Sequence, residues 1–170
     1  INNYEWRDIY YQKTNNFENL IYTNLNKLSF KSKKITNKTI NDNIVSEKEN
    51  IITTDQNGNI IVYSIKKKNI ISKYNFYKKK YKKINKFLNI AVENNIIYVA
   101  DNLGYLYSFN YKINKILWAK KNKVGFRSNI KIFKDKLITS DENNNLFYFN
   151  KKNGDVYKLI PTEDTLVKNQ

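Results

Sequence analysis

The feature that most constrains this chain is a repeat. The stretches "TDQNGNIIVYSIKKKNIIS" (Thr54 to Ser72), "ADNLGYLYSFNYKINKILW" (Ala100 to Trp118) and "SDENNNLFYFNKKNGDVYK" (Ser140 to Lys158) align without a gap. Asp55, Asp101 and Asp141 coincide, 46 and 40 residues apart, and so do Gly58, Gly104 and Asn144. The apolar positions follow: Ile60, Leu106 and Leu146; Tyr63, Phe109 and Phe149; Ile70, Ile116 and Val156. Units of this length cannot cover their own apolar faces and must stack on their neighbours.

Each copy has the same surroundings. A β-rich run precedes the aspartate ("IITT", "IIYVA", "LIT"), and another lies before that ("NIVSE", "FLNIAVE", "NIKIF"), across a short polar turn. Short runs bounded by Asn, Asp and Gly, without helical periodicity, predict antiparallel strands. One unit is then four strands in about 40 to 46 residues, the size of a β-propeller blade. The aspartate and the glycine fall in the turn between the second and third strands. Asp bonds its own backbone there and Gly tolerates positive φ, which accounts for both without a metal, since each turn has a single carboxylate at the matching position.

The expected fold is all-β: one partial propeller domain spanning 1–170, with blades over 40–76, 87–121 and 129–160. "KLSFKSKK" (27–34) resembles the fourth strand "KILWAKK", with Phe30 in the place of Trp118. Such a strand would complete the last blade of a ring. Residues 161–170 read as the start of the next blade connection, and the chain as the N-terminal portion of a larger propeller. A three-unit arc of this kind would leave apolar blade faces uncovered.

Composition trims the functional classes. The formal charge of +16 invites a nucleic-acid reading, but only Arg7 and Arg127 accompany 29 lysines. Nucleic-acid surfaces favour the bidentate fork of arginine, and the Lys, Asn, Ile and Tyr excess is what an AT-rich genome encodes. No nucleic-acid partner is therefore expected. The lysine-rich connector "KKKYKKINK" (78–86) reads as a solvated loop. Cysteine and histidine are both absent, which removes disulfides, thiolate catalysis and imidazole chemistry from these residues. No run approaches the roughly 18 apolar residues of a membrane span.

Ser108, Asn110, Asn114, Lys115 and Trp118 follow the spacing A-x-D-x-x-x-G-K-x-x-W of the quinoprotein repeat. Over about residues 27 to 161 the chain resembles the PQQ-like β-propeller family. One branch of that family comprises quinone- and calcium-dependent dehydrogenases, which typically use an aspartate base and often a vicinal cysteine pair. The other is non-enzymatic and includes the BamB-like lipoproteins of the outer-membrane β-barrel assembly machinery. In that branch an interblade loop reads hydrophobic-x-hydrophobic-Arg. Val124, Gly125, Phe126 and Arg127 follow this form, without the proline that usually comes next.

The resemblance implies a non-catalytic, periplasmic, outer-membrane-associated scaffold without a cofactor. Its implied partner is a protein of the barrel-assembly machinery, and it would meet the membrane only through a lipid anchor outside this sequence. Val124, Phe126 and Arg127 are the candidate partner-binding residues, with Phe126 expected at the surface. For Arg127 a salt bridge to a neighbouring turn aspartate is the competing reading. Asp55, Gly58, Asp101, Gly104, Asp141 and Trp118 are the candidate turn and docking residues. The alternatives are the N-terminal part of a PQQ-dependent dehydrogenase and a basic propeller that binds an anionic polymer or membrane surface.

Overall fold

The computed structural model describes residues 7, 28, 31–77 and 81–161. Among these, twelve strands form three antiparallel four-stranded sheets, each a simple meander. The first sheet holds β1 (Val45–Glu47), β2 (Asn50–Thr54), β3 (Asn59–Ser64) and β4 (Asn69–Asn75). The second holds β5 (Leu88–Glu93), β6 (Ile96–Asp101), β7 (Tyr105–Asn110) and β8 (Lys115–Lys121). The third holds β9 (Lys131–Phe133), β10 (Lys136–Ser140), β11 (Leu146–Asn150) and β12 (Val156–Ile160).

Local chemistry explains the register. The turns β1–β2 and β5–β6 have two residues each with positive φ, Lys48 and Glu49 in one and Asn94 and Asn95 in the other. Two such residues in succession give the turn twist that suits a tight hairpin. In every sheet the pairing of third and fourth strands shifts at the same repeat position, between Val62 and Tyr63, Ser108 and Phe109, and Tyr148 and Phe149. The repeat thus extends to a bulge, which bends each outer pair in the same way.

Side-chain alternation places the core between sheets. Val45, Ile52, Ile60 and Val62 of the first sheet pack with Ile90, Val92, Val99, Tyr107 and Phe109 of the second. From the opposite face of the second sheet, Ala91, Tyr98, Ala100 and Leu106 meet Ile130, Ile132, Leu137, Phe147 and Phe149 of the third. The central sheet is therefore covered on both faces, and β6 and β7 read as nearly continuous buried runs. In the third sheet, β10 and β11 alternate between buried and half-buried residues, the signature of a strand with one covered face.

Two polar latches recur at repeat-equivalent positions. Glu47, at the end of β1, is buried and accepts from the Tyr111 hydroxyl at 3.0 Å and the Asn95 N–H at 2.9 Å. Glu93, at the end of β5, pairs with Lys151, the counterpart of Tyr111. On the outer strands, the Ser72 hydroxyl reaches Asn114 Oδ1 at 3.2 Å. One unit on, Trp118 lies over Gly154 and donates its indole N–H to the Lys151 carbonyl at 3.1 Å. Asn114 and Gly154 both have positive φ, 53° and 74°. A Cβ on Gly154 would stand 2.5 Å from the Trp118 ring, so the large residue requires the small one.

Of the expected closing strand, Lys31 to Lys34 carry no strand pairing, and Phe30 lies outside the described residues. Of 161–170, only Pro161 is described. The carbonyl of Arg7 accepts from Val92 N–H at 2.9 Å, placing that residue against β5.

The outer latch generates a coupled prediction. Gly154→Asn alone should destabilise by about 1–3 kcal/mol through overpacking, and Trp118→Ser alone by about 3 kcal/mol. The double variant reproduces the serine–asparagine pair of the first interface and should recover at least about 1 kcal/mol of the summed loss. Denaturant melts of the four proteins measure this, and additive losses would show that the two positions do not communicate.

Candidate functional site

In each sheet the turn between second and third strands and the connector into the first strand emerge on one face. The three turns are chemically alike. One carboxylate oxygen of Asp55 accepts from the backbone N–H of Asn57 and Asn59 at 3.0 and 3.1 Å. Asp101 does the same for Leu103 and Tyr105, both at 2.8 Å, and Asp141 for Asn143 and Asn145 at 3.0 and 2.9 Å. Gly58, Gly104 and Asn144 sit beside them with φ of 85°, 83° and 62°. All three aspartates are buried. A buried carboxylate that receives backbone N–H groups is satisfied where it stands.

The second oxygen differs from turn to turn. That of Asp55 takes Thr36 Oγ1 at 3.0 Å and Asn59 Nδ2 at 2.8 Å. That of Asp141 takes Asn145 Nδ2 at 3.1 Å. Asp101 instead takes the phenol of Tyr77, which comes from the connector after β4 and crosses the Gly58 turn. Burial pushes the Asp101 carboxyl up, against the pull of the Tyr77, Tyr105 and Leu103 hydrogen bonds. The Tyr77 phenol is itself pushed up by burial and by the charge nearby.

The lysine-rich connector is not uniformly solvated. Lys82 and Lys83 are exposed, whereas Lys86 is buried, with its ammonium on the Tyr81 carbonyl and 5.6 Å from the Tyr77 ring centre. Burial lowers its pKa, and Asp55 opposes that shift. Residues 78–80 lie outside the described residues.

The connector into the third sheet is fixed by its backbone. Gly104 lies under the carbonyls of Asn122 and Val124, and a Cβ on Gly125 would come within 2.4 Å of the Asn102 carbonyl oxygen. Phe126 N–H donates to the Asp101 carbonyl at 2.8 Å, and Phe126 forms an isolated bridge with Asp141.

That placement corrects the expectation for Phe126. It is buried, not displayed, and its ring meets Phe147 and Phe149 edge-on at 6.2 and 6.0 Å. It occupies the position held by Leu88 opposite Asp101 and by Ile40 opposite Asp55, an apolar residue paired with the turn aspartate, which begins β5 in the second sheet and forms an isolated bridge in the other two. Val124 is half-buried. Arg127 is exposed, donates its backbone N–H to the Ser140 carbonyl at 3.0 Å, and makes no ion pair or side-chain hydrogen bond with any described residue. The turn aspartates are thus not its partners.

A third repeated position escaped the sequence reading. Asn43, Asn89 and Asn129 each precede an isoleucine at the head of the innermost strand, and Asn43 Nδ2 donates to Asn89 Oδ1 and Asn129 Oδ1, both at 3.2 Å. The Asn-Ile pair recurring in all three units is the signal that could have found them.

No protein-family model and no curated protein matches the sequence. Solved structures match it by fold. BamB from Moraxella catarrhalis superposes with a TM-score of 0.58 at 15% identity, over 70% of this chain and 35% of that one. The quinohemoprotein alcohol dehydrogenase from Comamonas testosteroni gives 0.59 at 12% identity, over 72% and 21%. The computationally designed Ika4 protein gives 0.62 at 10% identity, over 72% of each chain. This chain therefore spans about a third of the BamB chain, 35%, and less of the dehydrogenase. At such identities the likeness is one of fold, and the fold is an arc of β-propeller blades.

The tyrosines set a pH dependence. Burial pushes the phenols of Tyr77, Tyr98 and Tyr107 above their ordinary value of 10.0. The unfolded chain then loses these protons first, so the stability they contribute is complete below pH 10 and is lost as pH rises beyond it. Melting temperature should fall steeply above pH 10, and tyrosinate absorbance should lag in the folded protein until it unfolds.

Proposed function

We propose that this protein is a non-catalytic propeller scaffold that binds a protein partner, acting as a BamB-like factor in outer-membrane protein assembly on the periplasmic side. The observation that carries the reading is Arg127. One of two arginines in the chain, it is exposed on an interblade loop whose backbone is hydrogen-bonded at Phe126 and Arg127, with its charge unpaired among the described residues. Buried Phe126 anchors that loop from below, and Gly125 packs so closely on the Asn102 carbonyl that a Cβ there would come within 2.4 Å of its oxygen. Arginine on a fixed frame is well suited to recognising a carboxylate or a backbone carbonyl of a partner.

The chemistry of the same face supports a scaffold over a catalyst. Quinone and calcium chemistry needs converging carboxylates, whereas Asp55, Asp101 and Asp141 are each committed to their own turn. Among the described residues no three Asp or Glu side chains come together as metal ligands. The three turn carboxylates are thus not the groups that would hold such a centre. The dehydrogenase reading retains one specific support, the equal fold likeness to the quinohemoprotein enzyme.

Two variants test the proposal. Arg127→Ala should weaken capture of purified barrel-assembly components by about thirty-fold, roughly 2 kcal/mol, with an unchanged melt. Phe126→Ala should instead cost about 3–5 kcal/mol of stability. Charge reversal at Lys82 and Lys83 should matter mainly at low salt. Full capture by Arg127→Ala, or quinone- and calcium-dependent turnover by the protein, would reject the scaffold reading.

A further inference from the structure

On the face that carries the turns, an open cleft of about 250 Å³ lies between the lead-in to β1 and the connector into β5. Its wall includes Asn41, Asp42, Asn43, Gln56, Phe87 and Asn89. Four amides and one carboxylate share this lining with a single aromatic ring. We propose that this cleft binds a neutral polyhydroxylated ligand, a single sugar ring of a glycan. The inference does not depend on the scaffold reading.

The hydrogen-bonding inventory points this way. Asn41 is buried and its Nδ2 is spent on Thr54 Oγ1 at 2.9 Å and the Lys86 carbonyl at 3.2 Å. The Lys86 carbonyl can only accept, so the amide orientation is set. Asn41 Oδ1 is then a buried acceptor without a partner. That atom is closed off from solvent, so contact with a ligand falls to the half-buried amides of the wall, Asn43, Gln56 and Asn89. Asn43 and Asn89 bond to each other and present further amide atoms, Gln56 adds another amide, and the exposed Asp42 adds a carboxylate acceptor. A mixed wall of donors and acceptors suits hydroxyl groups, which do both.

The aromatic ring supplies the other half. Phe87 is 53% exposed although its backbone is pinned on both sides. Its N–H donates to Asn102 Oδ1 at 2.9 Å, and its carbonyl accepts from Asn102 N–H at 3.2 Å. Gln56 is pinned likewise, its carbonyl accepting from Lys86 N–H at 2.9 Å. An exposed ring on a pinned backbone, beside these amides, offers an apolar platform for the C–H face of a sugar while its hydroxyls meet the wall. The volume is below the roughly 300–1,000 Å³ of sites for drug-sized ligands, which limits the occupant to about one ring. A cation could also use the acceptors, but the chain's net charge of +16 opposes it.

The test is ligand-observed NMR and calorimetry on the intact protein with methyl α-glucoside, methyl α-mannoside and N-acetylglucosamine, and with arginine amide as the cationic control. At least one sugar should bind saturably with a Kd on the order of millimolar. Phe87→Ala should weaken it about ten-fold without moving the melting temperature, and Phe87→Tyr should keep it. Binding of no sugar, sugar binding indifferent to Phe87→Ala, or saturation by arginine amide alone would each overturn the proposal.

Discussion

A four-stranded sheet in this chain cannot cover its own faces, and contact between successive sheets is the interaction on which the rest of the structure depends. The second sheet shows it most plainly. Ile90, Val92 and Val99 face one neighbour while Ala91, Tyr98 and Ala100 face the other. Alternation that would normally separate core from solvent here separates two cores. Fully buried side chains on both faces follow from that, and so does the demand that adjacent sheets keep a fixed angle and offset.

Each interface is pinned at several levels. Near the innermost strand, Glu47 and Glu93 reach the next sheet at equivalent positions. On the outer strand, Ser72 meets Asn114 and Trp118 meets Gly154. On the turn face, Tyr77 joins the Gly58 turn to Asp101 at the first interface, and at the second Phe126 joins Asp101 to Asp141. The chemistry changes from one interface to the next while the geometry is kept. What the repeat conserves is where contact occurs, and the residues at each contact only have to suit each other.

That distinction explains what could be read from the sequence. Asp55, Asp101 and Asp141 were legible because turn chemistry is local: the carboxylate, its backbone donors and the positive-φ residue lie within five positions of one another. Trp118 was legible as a docking residue through its motif, but its partner Gly154 was not, since pairing across sheets has no fixed sequence offset. Phe126 was misread for a different reason. Judged within its loop it is an apolar residue at a surface connection, and only alignment with buried Leu88 shows it paired with a turn aspartate and turned into the core. The asparagines at 43, 89 and 129 lie in runs whose strand pattern was legible, but that pattern carries no sign of a contact between units that are far apart in sequence.

The same packing decides where function can reside. The faces between successive sheets are consumed by neighbours, and the turn carboxylates by their own backbone, so neither can be given to a ligand without loss of packing. What remains is carried by connectors, whose ends are fixed by the sheets they join and whose side chains are free to vary. The two connectors differ in kind. The one into the third sheet offers a single arginine on a frame anchored by Phe126, a point contact suited to another protein. The one into the second sheet combines pinned Phe87 with a wall of amides, a concave surface suited to a small neutral molecule. A common blade geometry can therefore carry two chemically distinct surfaces on one face, because the sheets beneath hold each connector in place independently of what it displays.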